Sequence, residues 1–230
     1  MQPRARSRQR SADSSEHALE RAHELFEAFE RQRLRTVGQG RVGLWVHLDD
    51  QTVSSGGRGG QRHWLHQVAV ARAVHDTQQL PRALGLSAFA FAEAAVLDRA
   101  SPLVEEAIAT LAAGIELLLA VVGLPALAEA ARLLGRSAEL RDALGERYGW
   151  SRWADAARAI ARDDFIRAAE VCEMIGSLPD EALCRLRAAE RLADDGQQSE
   201  ADEQLGRALA FYRSVGATRF IRKAEALLAV

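Results

Sequence analysis

The sequence has little lysine, little cysteine and no long hydrophobic run, and each shortage excludes a class of protein. Its only lysine, Lys223, lies in the stretch IRKAE rather than in a glycine-rich loop, which excludes a Walker A phosphate-binding loop. Cys172 and Cys184 lie within helical patterns, and the arginines of residues 1–15 precede no apolar stretch of the kind found in secretory signals. We therefore expect a disordered N-terminal tail, reduced core thiols and a cytoplasmic protein.

The chain also lacks an excess of charge of either sign. Its 30 basic and 32 acidic residues give a formal net charge of −2, so no overall field favours nucleic acid or an anionic membrane as a partner. The most apolar stretch, residues 115–127, contains Glu116 and Pro125 and is shorter than the roughly 20 apolar residues that cross a bilayer. A hydrophobic content of 48% nevertheless suffices for a buried core.

Helical periodicity dominates the sequence and predicts an all-α fold with no membrane span. Residues 16–33 predict an amphipathic helix, and residues 37–62, which alternate and then become glycine-rich, predict an irregular or extended segment. We assign residues 16–100 to an N-terminal helical region and residues 101–230 to a helical repeat region, best supported over 150–230. The apolar stripe of the first helix consists of Leu19, Ala22, Leu25, Phe26 and Phe29.

Proline, glycine and serine predict where individual helices begin and end. Pro81 and Gly85 predict a break, after which periodicity resumes over residues 87–99. Ser101 predicts an N-cap, with Pro102 at the first helical position of the helix that follows. Beyond residue 123 the helical runs are short and separated by glycine, which predicts antiparallel helix hairpins.

An internal repeat is the most informative pattern. The stretches ARDDFIRAAEVC from Ala161 and ADDGQQSEADEQL from Ala193 carry similar features about 33 residues apart, a period typical of stacked helix pairs. The turn at Asp163 then matches the turn at Gly196. The spacing of small and large residues resembles the tetratricopeptide repeat, with Arg185 standing where that repeat usually has an aromatic residue. The residues expected to pack within and between the hairpins are Ala168, Ala188, Ala189, Leu192, Ala201, Leu205 and Ala208.

Aromatic residues cluster near the C-terminus, at Phe211, Tyr212 and Phe220. A terminal repeat must cover the core of its neighbour, so we interpret this cluster as a terminal cap. The alternative is a partner-binding surface.

Residues able to carry catalysis or bind metal are few. His63 and His66 lie one helical turn apart with His75 nearby, but a zinc site needs three or four ligands, so these histidines are weak candidates and surface positions are the favoured interpretation. Neither cysteine has a histidine nearby in sequence, and the glycine-rich stretch 56–60 fits a flexible linker better than an anion site. We expect no catalytic residue and no cofactor.

The C-terminal segment WADAARAIARDDFIRAAEVCEMIGSLPDEALCRLRAAERLADDG, followed by ALAFYRSVGATRFIRKAEALLA, has a closer resemblance. It resembles the helical tail of large bacterial regulators, actinobacterial in type, that join an adenylate/guanylate cyclase domain to an AAA ATPase. The resemblance covers about residues 150–230. It implies a tetratricopeptide-like superhelix and a regulatory role.

The favoured hypothesis is a non-enzymatic scaffold, or the sensor tail of a signalling ATPase or cyclase, that binds a protein or peptide partner. An alternative is a small metal- or ligand-binding protein or enzyme that uses the N-terminal histidine segment. A further alternative is a truncated remnant of a longer regulator.

Overall fold

The computed structural model describes residues 59–228 except 116, 118, 119 and 216. This part of the chain contains ten α-helices, one 3-10 turn and no strand, which confirms the predicted all-α class there. The predicted disordered tail, the helix over 16–33 and the extended segment before residue 59 lie outside the described residues. The helices are α1 Gly59–Ala73, α2 Gln79–Glu93, α3 Leu97–Ala112, α4 Leu124–Leu133, α5 Ser137–Leu144, α6 Arg152–Ile160, α7 Phe165–Ile175, α8 Leu178–Asp194, α9 Gln198–Val215 and α10 Thr218–Leu228, and the 3-10 turn is Ala120–Gly123.

The break predicted at Pro81 and Gly85 is wrong, because both residues lie inside α2. Pro81 is the third residue of the helix, where its missing N–H would have no intrahelical partner. Gly85 allows close packing instead of ending the helix: a Cβ there would lie 3.0 Å from the carbonyl oxygen of Gly123 and 3.1 Å from the Cβ of Leu127. Likewise, α1 begins at Gly59, so the irregular segment predicted over 37–62 extends too far.

The helix start predicted at Ser101 is also wrong, because α3 begins at Leu97 and contains Pro102. A left-handed turn at Ala95, with φ of 59°, separates α2 from α3. Burial of Ala100 and Val104 on the core side of α3 offsets the hydrogen bond that the proline cannot make. The boundary we set between residues 100 and 101 therefore falls within a helix.

Helices packed side by side form the core. The row α2, α4 and α6 runs through the first half, with α3 beside α2 and α5 beside α3, and α7, α8, α9 and α10 then pack in chain order. One buried cluster extends from Val68 to Ala188, a second occupies α8 to α10, and Phe89 on α2 contacts both.

Helix α8 lies in the interior. Its residues 181–189 are all buried, a burial expected of a helix enclosed by others. In a linear repeat array each unit contacts only its neighbours, whereas Arg187 on α8 bonds to Glu93 on α2, 94 residues earlier. In the described part of the chain, no helix has the length and apolar character needed to cross a membrane.

Candidate functional site

The residues predicted to pack the repeats lie mainly in the core. Leu192 is partly buried, and the two matched turns at Asp163 and Gly196 have left-handed φ of 57° and 75°. Aspartate and glycine tolerate this conformation better than most residues do, so Asp163 and Gly196 suit the turns that follow α6 and α8. The buried members of the set are Ala168, Ala188, Ala189, Ala201, Leu205 and Ala208.

The C-terminal aromatic residues are buried rather than exposed. Tyr212 stacks on Phe220 with ring centroids 4.9 Å apart and meets Phe211 edge-on at 5.7 Å. All three belong to the cluster formed by α8, α9 and α10. They therefore fit the terminal cap and offer no exposed partner surface in this arrangement.

Arg185, which departs from the tetratricopeptide pattern, fills a buried position with a polar network. Its guanidinium is 4% exposed and donates to Glu181 at 2.7 Å, to Glu173 at 2.9 Å and to Gln204 at 2.9 Å. Arg207 on α9 also bonds to Glu181, at 3.1 Å. The network joins α7, α8 and α9, as an aromatic side chain would by packing.

A second buried network centres on Arg187 and was not predicted from the sequence. Its guanidinium donates to Glu129 of α4 at 2.6 Å, to Glu190 at 3.1 Å and to Glu93 of α2. Arg132 donates two further bonds to Glu129, at 2.8 and 2.9 Å. We call Glu93, Glu129, Arg132, Arg187 and Glu190 the Arg187 cluster.

In the Arg187 cluster, Glu129 and the two arginines stabilise one another's charged forms. Burial alone would raise the pKa of Glu129, but the hydrogen bond from Arg132 and the charges of Arg187 and Arg132 outweigh it and lower that pKa below its ordinary value. Burial likewise opposes the charge on Arg187, whereas Glu129, Glu93 and Glu190 together raise the Arg187 pKa. The Arg187 guanidinium already donates hydrogen bonds to three carboxylates. The cluster is therefore suited to holding α2, α4 and α8 together rather than to binding an anion.

The histidine and cysteine candidates do not converge. His66 and His75 are exposed, and the side chain of His63 lies outside the described residues. Within the described part of the chain, no three His, Cys, Asp or Glu side chains are grouped to hold a metal. Cys172 and Cys184 are buried on α7 and α8, where a hydrogen bond between the two thiols and burial raise the pKa of Cys172.

An open cleft of about 470 Å³ lies beside α3 and α5. Its lining includes Leu111, Asp142 and Glu139, and the Glu139 carboxylate forms an ion pair with Arg136 at 2.5 Å. Nearby, the Tyr148 hydroxyl donates to the carbonyl of Ile115 at 2.8 Å, which joins the segment after α5 to the segment after α3. The lining offers no nucleophile with an adjacent base.

Large apolar side chains are exposed at one end of the α6–α7 hairpin. Trp150 is 63% exposed just before α6, Met174 is 52% exposed at the end of α7, and Leu178 is 39% exposed at the start of α8. The four residues 161–164 between α6 and α7 turn the chain back, so the start of α6 and the end of α7 lie at the same end. We call these three residues the Trp150 patch. Sequence periodicity missed it because Trp150 precedes its helix and Met174 follows the apolar spacing of a core residue.

Comparisons with protein-family models, with curated proteins and with solved structures give no match to this chain. The described side chains themselves therefore supply the functional candidates. These are a buried network that holds the helices together and an exposed apolar patch.

Proposed function

We propose that this chain is a non-enzymatic protein-interaction module, the regulatory tail of a signalling ATPase or cyclase-type regulator or its stand-alone equivalent. The Trp150 patch is the observation that carries the proposal. Trp and Met are enriched at protein interfaces, where their large side chains supply apolar contact area. Exposing such side chains to water is unfavourable unless a partner covers them.

The burial of α8 argues against a partner site in a groove between the hairpins. An interaction through a groove between hairpins needs that groove to be open, and residues 181–189 of α8 are buried on every side. The Trp150 patch lies instead at the exposed end of a hairpin, where a partner adds contacts without displacing a helix. A protein partner with an apolar anchor fits this surface better than a small ligand, because its three apolar side chains are exposed to solvent, whereas a small-ligand site encloses most of its ligand.

We also propose that α6–α7 and α8–α9 are two tetratricopeptide-like hairpins. Three observations support the register: the left-handed turns at Asp163 and Gly196, the fully buried alanines Ala168 and Ala201, and their common spacing of 33 residues. The two hairpins differ in length, because α6 and α7 have 9 and 11 residues whereas α8 and α9 have 17 and 18.

Site-specific photo-crosslinking in the native host tests the proposed surface. A photoreactive amino acid replaces Trp150, and the matched control carries it at Ile166, which is 44% exposed at the opposite end of the same hairpin. We expect a discrete protein adduct from position 150 that is absent or much weaker from position 166. Equal adduct patterns from both positions, or no adduct from either, would contradict the proposal.

A further inference from the structure

Helix α1 presents apolar residues on both of its faces. Val68 and Ala71, 1% and 4% exposed, pack toward α2, and Arg72 is joined to Glu106 on α3. The opposite side of the helix is exposed from Leu65 onward, and the residues on that side up to Val74 are apolar except His66. We call this surface the outer face of α1: Leu65, His66, Ala69, Val70, Ala73 and Val74.

The apolar character of this exposed face is unusual for a surface helix. Leu65, Val70 and Val74 are 37%, 44% and 65% exposed. A helix at the surface of a globular protein normally has charged and polar residues on the side that faces away from the core. A helix with apolar residues on two sides is instead typical of one packed between neighbours.

We propose that residues 16–33 of the same chain cover the outer face of α1. These residues, which lie outside the described part of the chain, have the sequence pattern of an amphipathic helix. The stripe contains large side chains, including Leu25, Phe26 and Phe29, whereas the centre of the outer face contains the small residues Ala69 and Ala73. Large residues opposite small ones fill the space between two helices without overpacking.

Charge favours this pairing over a pairing of two α1 helices. Residues 16–33 contain five glutamates and three arginines, whereas α1 contains two arginines and no acidic residue. The two segments therefore carry opposite net charge, and two copies of α1 would bring like charges together. A second copy of the chain is the less complementary occupant.

The connecting chain is long enough for the segment to return. Residues 34–58 number 25 and could span at most about 80 Å when extended, whereas α1, with 15 residues, is about 22 Å long. The glycines at positions 56 and 57 permit a sharp reversal just before α1. Residues 16–33 can thus reach the outer face in either direction.

Hydrogen–deuterium exchange of the full chain, followed by mass spectrometry, tests the inference. Phe26→Asp places a charge in the stripe, and its matched control Ala28→Asp places the same charge outside it with a larger loss of helix propensity. Val70→Asp places a charge in the outer face, and its control is Gln67→Asp, an exposed position outside that face. If the buried helix α8 loses its protection from exchange in an aspartate variant, that variant has not folded, and Phe26→Ser or Val70→Ser is used in its place.

We expect the amides of residues 16–33 to exchange at least about tenfold more slowly than those of an unstructured peptide in the wild-type chain. Phe26→Asp and Val70→Asp should each abolish this protection, and the two controls should retain it. Exchange at unstructured rates in the wild type overturns the inference, as does protection that Val70→Asp leaves intact. If the protection falls on dilution while light scattering shows a dimer becoming a monomer, a second copy of the chain covers the face. That result also overturns the inference.

Discussion

Replacing Arg187 by methionine should be among the most destabilising single changes in the chain. Its guanidinium is 6% exposed and lies among three carboxylates, of which Glu129 is 1% exposed and Glu93 is 9% exposed. Methionine roughly preserves the volume but removes the positive charge from the centre of the cluster. Breaking a buried ion pair by removing one partner costs about 3–5 kcal/mol, a large part of the roughly 5–15 kcal/mol that stabilises a typical domain.

The matched control is Arg167→Met, which makes the same change on the surface. Arg167 and its partner Glu170 are 56% and 53% exposed, and exposed pairs contribute at most about 1 kcal/mol. Urea unfolding followed by circular dichroism at 222 nm measures both variants, and the dependence on urea should stay that of the wild type. We expect Arg187→Met to lower the free energy of unfolding by about 3 kcal/mol or more and Arg167→Met by about 0.5 kcal/mol or less.

A double-mutant cycle then assigns the loss to the cluster. Glu129→Gln combined with Arg187→Met should be less destabilising than the sum of the two single changes by at least about 1 kcal/mol, because the two side chains interact directly. If Arg187→Met and Arg167→Met lower stability equally, or if the cycle is additive, the buried cluster does not hold α2, α4 and α8 together.

Three further predictions concern stability. Tyr148→Phe should lower the free energy of unfolding by about 1 kcal/mol, because it removes the partly buried hydrogen bond to Ile115. Tyr212→Phe should leave it unchanged, because the Tyr212 hydroxyl is buried without a hydrogen-bond partner among the described residues; urea unfolding compares the two variants. Gly206→Ala should stabilise α9 by roughly 0.5–1 kcal/mol, since no atom lies within 4 Å of the new methyl group, whereas Gly85→Ala should show no such gain in a thermal melt because its Cβ would meet a carbonyl oxygen at 3.0 Å. Because the pKa of Glu129 is lowered in the folded state, its contribution to stability is fully present above the ordinary glutamate pKa near about 4.3 and is lost as the pH falls through the lower folded-state pKa. Glu129→Gln should therefore flatten the loss of stability that urea unfolding measures as the pH falls below about 5.

Local pattern predicted the helical class because apolar spacing reports which side of a helix is buried. The turns at Asp163 and Gly196 and the buried alanines Ala168 and Ala201 follow from that spacing. Helix ends were predicted less well near Pro81 and Ser101, where tertiary packing outweighs the preference of proline and serine for helix starts. A close approach, such as that of α2 to the 3-10 turn, leaves no local sign beyond a small residue.

The Arg187 cluster could not be predicted, because its partners come from distant helices. Glu93 lies 94 residues before Arg187, and Glu129 lies 58 residues before it. On a helical wheel Glu93, Glu129 and Arg187 each look like a solvated charge on a polar face. They are buried only because other helices surround α8. Arg185, by contrast, had a signal: it stands at a repeat position that is usually aromatic, and such a position is buried.

The most direct test of the central claim, that the Trp150 patch anchors a protein partner, is the affinity of the crosslinked partner measured by isothermal titration calorimetry. Trp150→Ala should weaken binding by about 2 kcal/mol or more, roughly thirtyfold, as expected of a tryptophan at the centre of an interface. Leu228→Ala, which truncates another exposed apolar residue, 45% exposed at the end of α10, should leave the affinity within about twofold of wild type. An affinity of Trp150→Ala that also stays within about twofold of wild type would contradict the claim.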